Sequence, residues 1–194
     1  MDTGFNKSKD DAYNYDYSYS LTNKIAVILA YFNGNDYLDD QLVSIFNQSH
    51  KYLKVFISDD NSQINPLNKI NIDKKLKAKI HIVRQKVNVG YSQNFLNTLA
   101  IASNNFDFFA FSDQDDIWHQ DKLERALAAL AKAPTEKPAL YCARSEIADA
   151  TCEHTLGYSP RFNKPPSFSN ALVQNIGGGN TMVFNQAARD LIIK

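Results

Sequence analysis

Three carboxylates fall within four consecutive positions, at Asp113, Asp115 and Asp116, directly after the apolar run from Phe106 to Phe111. Like charges this close are costly to keep ionised unless a cation neutralises them, and carboxylate oxygens suit a hard divalent ion. A polar turn that caps the following helix is the alternative, because Asp is favoured at helix N-termini. A second acidic pair, Asp59-Asp60, follows another apolar run and favours the metal interpretation.

The elements that must position these acids follow from the spacing of apolar residues. Short apolar runs predict strands, and apolar residues recurring at helical spacing predict amphipathic helices. The predicted strands are residues 24–30, 53–57, 80–83, 106–111, 139–143 and 182–184, and the predicted helices cover residues 37–46, 95–100, 123–130 and 186–194. This alternation predicts a single α/β domain whose mostly parallel sheet is flanked by helices.

In open parallel sheets, ligands bind beyond the carboxyl ends of the strands. Both acidic groups follow strands, so we expect them to converge from two neighbouring strands on one edge of the sheet. Gly177, Gly178 and Gly179 precede a strand and predict either positive φ with close approach to a ligand or a plain tight connection. No lysine follows them, which excludes a P-loop. Trp118 either stacks on a ligand or anchors the next helix in the core.

Composition narrows the class of protein. The chain has 194 residues with zero formal net charge, 22% charged and 44% hydrophobic residues, which predicts a globular domain and gives no support to nucleic-acid binding. Two cysteines, Cys142 and Cys152, are too few for a disulfide scaffold, and no run of ~18 apolar residues or secretory signal is present. We therefore expect a cytoplasmic protein.

Two segments differ in composition from the rest. Residues 1–22 are polar and rich in tyrosine, which predicts a flexible tail before a domain at residues 23–194. The segment from Lys69 to Lys86 is strongly basic, with Asp73 as its single acid. It is interpreted either as a solvated helix face with a loop or as a patch that meets anionic lipid headgroups or phosphate.

Several motifs, in order, carry a family resemblance. They are Ala30-Tyr31-Phe32-Asn33-Gly34, Gln41 to Ile45 with Gln48, Ser58-Asp59-Asp60-Asn61-Ser62, Asn88 to Phe95, Asp113-Gln114-Asp115-Asp116-Ile117-Trp118, and Gly178 to Asn185. From Lys24 to Lys194 the chain resembles family 2 glycosyltransferases with the GT-A fold, and more narrowly their bacterial rhamnosyltransferase-like branch.

The resemblance implies a role for each matching residue. Ala30 and Phe32 would line the donor pocket, and Asp60, with Asp59 beside it, would contact the nucleotide base or ribose. Asp113 and Asp115 would form the DxD pair, with Asp115 as the direct ligand of Mg²⁺ or Mn²⁺ on the donor diphosphate. The glycines Gly178 and Gly179 would border the donor sugar and the acceptor.

The implied activity is an inverting transfer of a sugar from a nucleotide diphospho-sugar, dTDP-rhamnose or a UDP-sugar, to a saccharide or lipid-linked glycan acceptor. Such a reaction would serve bacterial cell-surface polysaccharide synthesis, with a possible peripheral contact at the inner membrane face. The general base, an Asp in a later segment of such enzymes, would lie beyond Lys194. Because the helical pattern runs to the last residue without a cap, we expect the chain to be a shortened one.

Two alternatives remain open. The lack of an identifiable base also fits a non-catalytic nucleotide-sugar-binding module. A sugar-phosphate nucleotidyltransferase shares the sheet topology, but it would carry a basic residue in the loop after the first strand. The segment from Ala30 to Asn35 contains none.

Overall fold

The apolar runs of the sequence form the strands of a six-stranded sheet in the computed structural model, which describes residues 22–34, 36–102, 105–162, 167, 169 and 177–194. The strands are Ile25–Tyr31 (β1), Leu53–Asp59 (β2), Ile80–Arg84 (β3), Phe108–Ser112 (β4), Leu140–Tyr141 (β5), Glu146–Ala148 (β6), Thr155–Tyr158 (β7) and Val183–Asn185 (β8). The α-helices along the described residues are Leu38–Phe46 (α1), Lys74–Lys77 (α2), Tyr91–Ile101 (α3), Lys122–Leu130 (α4) and Gln186–Ile192 (α5).

The strand order β3-β2-β1-β4-β8-β5 confirms the mostly parallel α/β sheet of a single domain. The pairs β3·β2, β2·β1 and β1·β4 are parallel, whereas β8 runs antiparallel to both β4 and β5. The strand expected at residues 139–143 is confined to β5, because the partner strand β8 is itself only three residues long. β6 and β7, which the sequence pattern did not indicate, pair as a separate two-stranded sheet.

β1 lies in the middle of the parallel strands and is covered on both faces. Its residues alternate between two apolar clusters, with Val27 packing with Leu42 of α1 in one and Ile28 packing with Phe95 of α3 in the other. This double burial explains why β1 is an almost continuous apolar run rather than an alternating one. Packing on both faces therefore holds β1, and with it the loop that follows it, in place.

The remaining expectations concern the termini and the cysteines. The tail expected at residues 1–22 falls almost wholly outside the described residues, which begin at position 22. Cys142 and Cys152 are free thiols. Over the part of the chain that is described, no helix has both the length and the apolarity to cross a bilayer.

Candidate functional site

The two acidic groups lie on either side of the end of β1. Asp59 is the last residue of β2, the acidic loop Asp113–Trp118 follows β4, and β1 pairs with both strands. The expectation that the two strands are direct neighbours is wrong, because β1 separates them. All three strands are parallel, so their carboxyl ends still meet at one edge. The chain passes to either side of β1 here, which is the switch point where open α/β sheets bind ligands.

A cleft of about 560 Å³, called the small cleft below, opens at this edge. Its lining residues come from the end of β1, the loops after β1, β2, β3 and β4, and the start of α3: Ala30, Tyr31, Phe32, Asp60, Asn88, Gly90, Tyr91, Asn94, Asp113, Gln114 and Asp115. Ala30, Phe32, Asp60, Asp113 and Asp115, all singled out from the sequence, are thus brought together. The acids that follow β2 and β4 therefore lie at the edge where this cleft opens.

Asp60 holds together the wall of the small cleft nearest to α3. Its carboxylate accepts hydrogen bonds from the backbone N–H groups of Val89, at 2.7 Å, and Gly90, at 2.9 Å. Gly90 is at φ 81°, a backbone conformation that favours glycine, and it directly precedes α3. Asp60 is 3% exposed, so its carboxylate is mostly enclosed by the loop that it binds. A contact between Asp60 and a nucleotide stays a prediction.

Asp59 is fully buried and does not line the small cleft. One carboxylate oxygen accepts the Ser62 N–H at 2.9 Å, and the other lies 3.4 Å from the Arg84 guanidinium. In this conformation the side chain presents no surface to a ligand. The geometry therefore gives Asp59 a part in shaping the loop after β2, which the sequence motif alone did not separate from binding.

The acidic loop does not cap the following helix. α4 begins at Lys122 with Asp121 in the capping position, so the capping interpretation of Asp113 to Asp116 is wrong. Asp113 is half-buried, and its pKa is raised by burial and further by the negative charges of Asp116 and Asp115. Asp115 is exposed. Among the described residues, no group of three metal-ligating side chains converges on one point.

Gln114 links the acidic loop to the loop after β1. Its side-chain oxygen Oε1 accepts the Phe32 N–H at 2.9 Å. The side chain passes so close to Gly34 that a Cβ there would lie 2.4 Å from the Gln114 amide. Any larger residue at position 34 would therefore displace the Gln114 side chain from this contact.

Buried polar side chains of α1 form hydrogen bonds with both ends of the acidic loop. Gln41 donates from Nε2 to Ser112 Oγ at 2.7 Å, and the Trp118 N–H donates to Ser44 Oγ at 3.0 Å. Trp118 is 5% exposed and belongs to the core, which confirms the anchoring interpretation of this residue. Both ends of the acidic loop are thus fixed to one helix.

Gln48, just beyond the end of α1, extends this support to the first turn of α4. Its Oε1 accepts the Leu123 N–H at 3.0 Å, and its Nε2 donates to the His119 carbonyl at 2.8 Å. Sequence reasoning assigned no role to Gln41, Ser44 and Gln48. These three residues are spaced three and four positions apart, on the buried stripe of an amphipathic helix. Buried polar side chains need hydrogen-bond partners, so this spacing is a signal for contacts with another segment.

The glycine loop, Gly177–Thr181, lies on the other side of Asp115. None of its described glycines has a positive φ, so the alternative in which these glycines adopt positive φ is wrong. Gly177 is instead required for packing, because a Cβ there would lie 2.6 Å from Cys142 Sγ. Gly178 and Gly179 do not line the small cleft. The next residue, Asn180, lines a second cavity.

This second cavity, the large groove, has a volume of about 1170 Å³. Its lining includes Asp115, Trp118, Lys122, Asn180 and Thr181. Asp115 borders both cavities, so the two meet at this residue.

Comparison with known proteins places this geometry in context. The sequence model of the family described as "Glycosyl transferase family 2" matches residues 26–190. The dTDP-rhamnosyl transferase RfbG of Shigella flexneri is 35% identical over 105 residues, which cover 53% of this chain and 36% of that protein. The putative teichuronic acid biosynthesis glycosyltransferase TuaG of Bacillus subtilis strain 168 is 32% identical over 103 residues, covering 53% of this chain and 40% of that protein.

Among solved structures, the mannosyltransferase PcManGT of Pyrobaculum calidifontis in complex with GDP-Man and Mn²⁺ superposes with a TM-score of 0.56. The match covers 84% of this chain and 44% of that protein at 18% identity, and it concerns the fold. The matches to the two curated relatives above span well under half of each relative's length.

Proposed function

Because the chain belongs to glycosyltransferase family 2, we propose that it transfers a sugar from a nucleotide diphospho-sugar to a saccharide or lipid-linked glycan acceptor. The supporting observation is the small cleft, where Asp60 and Asp115 line one cavity at the switch point of the sheet. The preferred donor is dTDP-rhamnose, after the similarity to a dTDP-rhamnosyl transferase, and UDP-sugars are the second choice.

In the proposed reaction, an acceptor hydroxyl oxygen attacks the anomeric carbon while the bond from that carbon to the diphosphate oxygen breaks. The configuration inverts, the nucleoside diphosphate leaves, and the hydroxyl proton passes to a base for which no residue of this chain is put forward. Phe32, 48% exposed at the mouth of the small cleft, offers an aromatic face to the nucleobase. Asp60 and the loop it holds border the same end of the cleft.

The carboxylates of the acidic loop fit a divalent cation only together with the donor. Asp113 and Asp115 would supply two ligands, and Mg²⁺ commonly takes one or two carboxylates plus phosphate oxygens of a substrate. Burial raises the pKa of Asp113, and the negative charges of Asp116 and Asp115 raise it further; a cation would relieve this repulsion. When bound, Mg²⁺ or Mn²⁺ would stabilise the charge that develops on the leaving diphosphate.

The large groove, which meets the small cleft at Asp115, is the proposed route of the acceptor. We place the reaction at the cytoplasmic face of the membrane, with a peripheral contact through the basic segment from Lys69 to Lys86. Lipid-linked acceptors are presented at such a surface.

Thermal unfolding with dTDP, UDP and GDP, each with and without Mn²⁺, tests the donor site. At a hundredfold excess over Kd, a nucleoside diphosphate with Mn²⁺ should stabilise the fold by about 2.7 kcal/mol, or roughly 5 to 10 °C in Tm. Asp115→Asn should abolish the joint effect, and Glu136→Gln, at an exposed carboxylate outside both cavities, should retain it. Indifference of the wild-type protein to every nucleotide would contradict the proposal.

A transfer assay separates catalysis from mere binding. Release of dTDP from dTDP-rhamnose in the presence of a glycan acceptor is the expected result. Binding without any release, in a protein extended by the later segment of its relatives, would favour the non-catalytic module instead.

A further inference from the structure

Lys122 joins three segments around the point where the two cavities meet. It is the first residue of α4 and is half-buried. Its ammonium donates a hydrogen bond to the Asn180 carbonyl of the glycine loop at 2.7 Å. The same nitrogen lies 3.5 Å from the ring centroid of Trp118, at the end of the acidic loop. One cation thus contacts both loops at once.

A second link runs through the side chain of the same loop residue. Asn180 Nδ2 donates to Asp116 Oδ2 at 2.7 Å. The backbone of Asn180 is therefore held by Lys122, and its side chain holds the acidic loop. Together the two hydrogen bonds link the glycine loop to the acidic loop next to Asp115.

Burial disfavours the charged form of Lys122. Burial lowers the pKa of this ammonium to about 7, and the nearby carboxylates Asp116 and Asp113 only partly oppose that shift. In return, the positive charge of Lys122 partly offsets the rise in the pKa of Asp113 that burial and the charges of Asp116 and Asp115 cause. A charge in this half-buried position is weak evidence for a stabilising role, because desolvation offsets its attraction to the nearby carboxylates.

We propose that Lys122 is a positioning residue, which holds the glycine loop against the acidic loop and so fixes the wall where the small cleft meets the large groove. This inference rests on the proposed function, in which donor sugar and acceptor hydroxyl approach each other at that wall. Lys122 lines the large groove and not the small cleft, so it acts on the approach of the reactants rather than on nucleotide binding.

Hydrogen exchange tests the positioning role without a substrate. The Thr181 and Met182 amides bond within the glycine loop, to the carbonyls of Gly178 at 2.9 Å and Gly179 at 3.0 Å. In Lys122→Met, which keeps the length and removes the charge, these amides should exchange about tenfold faster, the loss expected for one charged hydrogen bond. Lys122→Arg should restore part of the protection. Unchanged exchange in Lys122→Met overturns the proposal.

Lys74→Met is the matched control, because Lys74 is exposed on α2 and far along the chain from both loops. It should leave the exchange of the glycine loop unchanged. If Lys122→Met fails to fold, Asn180→Ala takes its place, since it removes the bond to Asp116. Faster exchange at Thr181 in that variant supports the proposal, and wild-type exchange overturns it.

Kinetics then distinguish this inference from the proposed function. Lys122→Met should bind a nucleoside diphosphate with Mn²⁺ as the wild type does, while kcat for transfer falls about tenfold or more because the reactants are misaligned. Loss of nucleotide binding in this variant would make Lys122 a ligand contact and overturn the positioning role. Failure of the wild-type protein to bind any nucleotide would instead contradict the proposed function.

Discussion

At the scale of single residues, Gln114 sets the distance between the loops that border the small cleft. Its amide oxygen is bonded to the Phe32 N–H, and its side chain occupies the space that Gly34 leaves free. Phe32, Asp113 and Gln114 all line the small cleft. The sequence motif around Asp113 drew attention to the acids, whereas the glutamine between them makes the contact across the cleft.

Gly34→Ala should displace the Gln114 side chain, because the new Cβ would lie 2.4 Å from it. The side chain is flexible, so the free energy of unfolding should fall by only about 1 kcal/mol, the net value of one hydrogen bond. Nucleoside diphosphate affinity, measured by calorimetry, should fall several-fold as Phe32 is released.

Gly157→Ala is the control for this substitution, since a Cβ at Gly157 would meet nothing within 4 Å. In the double variant Gly34→Ala with Gln114→Ala, the clash disappears and the two effects should be non-additive. Additive losses would show that Gln114 is not the group displaced.

At the scale of elements, α1 is the support for the acidic loop. Its buried face carries Gln41 and Ser44 among apolar residues, and Gln48 follows at the same helical spacing. Each bonds to the segment from Ser112 to Leu123, more than 70 positions away along the chain. The helix was predictable from its apolar stripe, but the partners of its polar residues were not, because hydrogen bonds over this separation depend on how the helix packs on the sheet.

Gln48→Leu should lower the free energy of unfolding by about 2 to 3 kcal/mol, because it leaves the Leu123 N–H and the His119 carbonyl without their partner. Urea denaturation measures the change. Val43→Ala, at an exposed position of the same helix, should cost much less. Equal losses in the two variants would refute the supporting role of Gln48.

At the scale of the whole molecule, charge is distributed unevenly around a neutral chain. Five exposed lysines lie in the chain segments that precede and follow the edge strand β3: Lys69, Lys74, Lys75, Lys79 and Lys86. The acids of the candidate site lie at the carboxyl edge of the same sheet. The proposed membrane contact uses this basic segment and not the acids of the candidate site.

Co-sedimentation with vesicles tests this proposed contact. Each lysine near an anionic surface contributes about 1 kcal/mol, so Lys75→Glu should reduce binding to phosphatidylserine vesicles by about fivefold or more. Lys137→Glu, at an exposed position outside the basic segment, should have little effect. No binding of the wild-type protein at low salt would contradict the membrane contact.

The sequence by itself determined the strands and helices of the parallel half and the presence of acids at the carboxyl ends of β2 and β4. These features are local, since apolar periodicity reports which face of an element is buried. The same reasoning brought Asp60, Asp113 and Asp115 to one edge, because parallel strands end on the same side of a sheet, whereas Ala30 and Phe32 were assigned from the family resemblance.

Only the tertiary structure decided that β1 lies between the two acidic strands, that β8 enters the sheet antiparallel, and that Asp59 is buried while Asp115 borders two cavities. It also decided the contacts of Gln114 with Phe32 and of Lys122 with Asn180. These contacts join residues 82 and 58 positions apart. Side chains at such separations meet only through the packing of whole elements, which local sequence patterns do not encode.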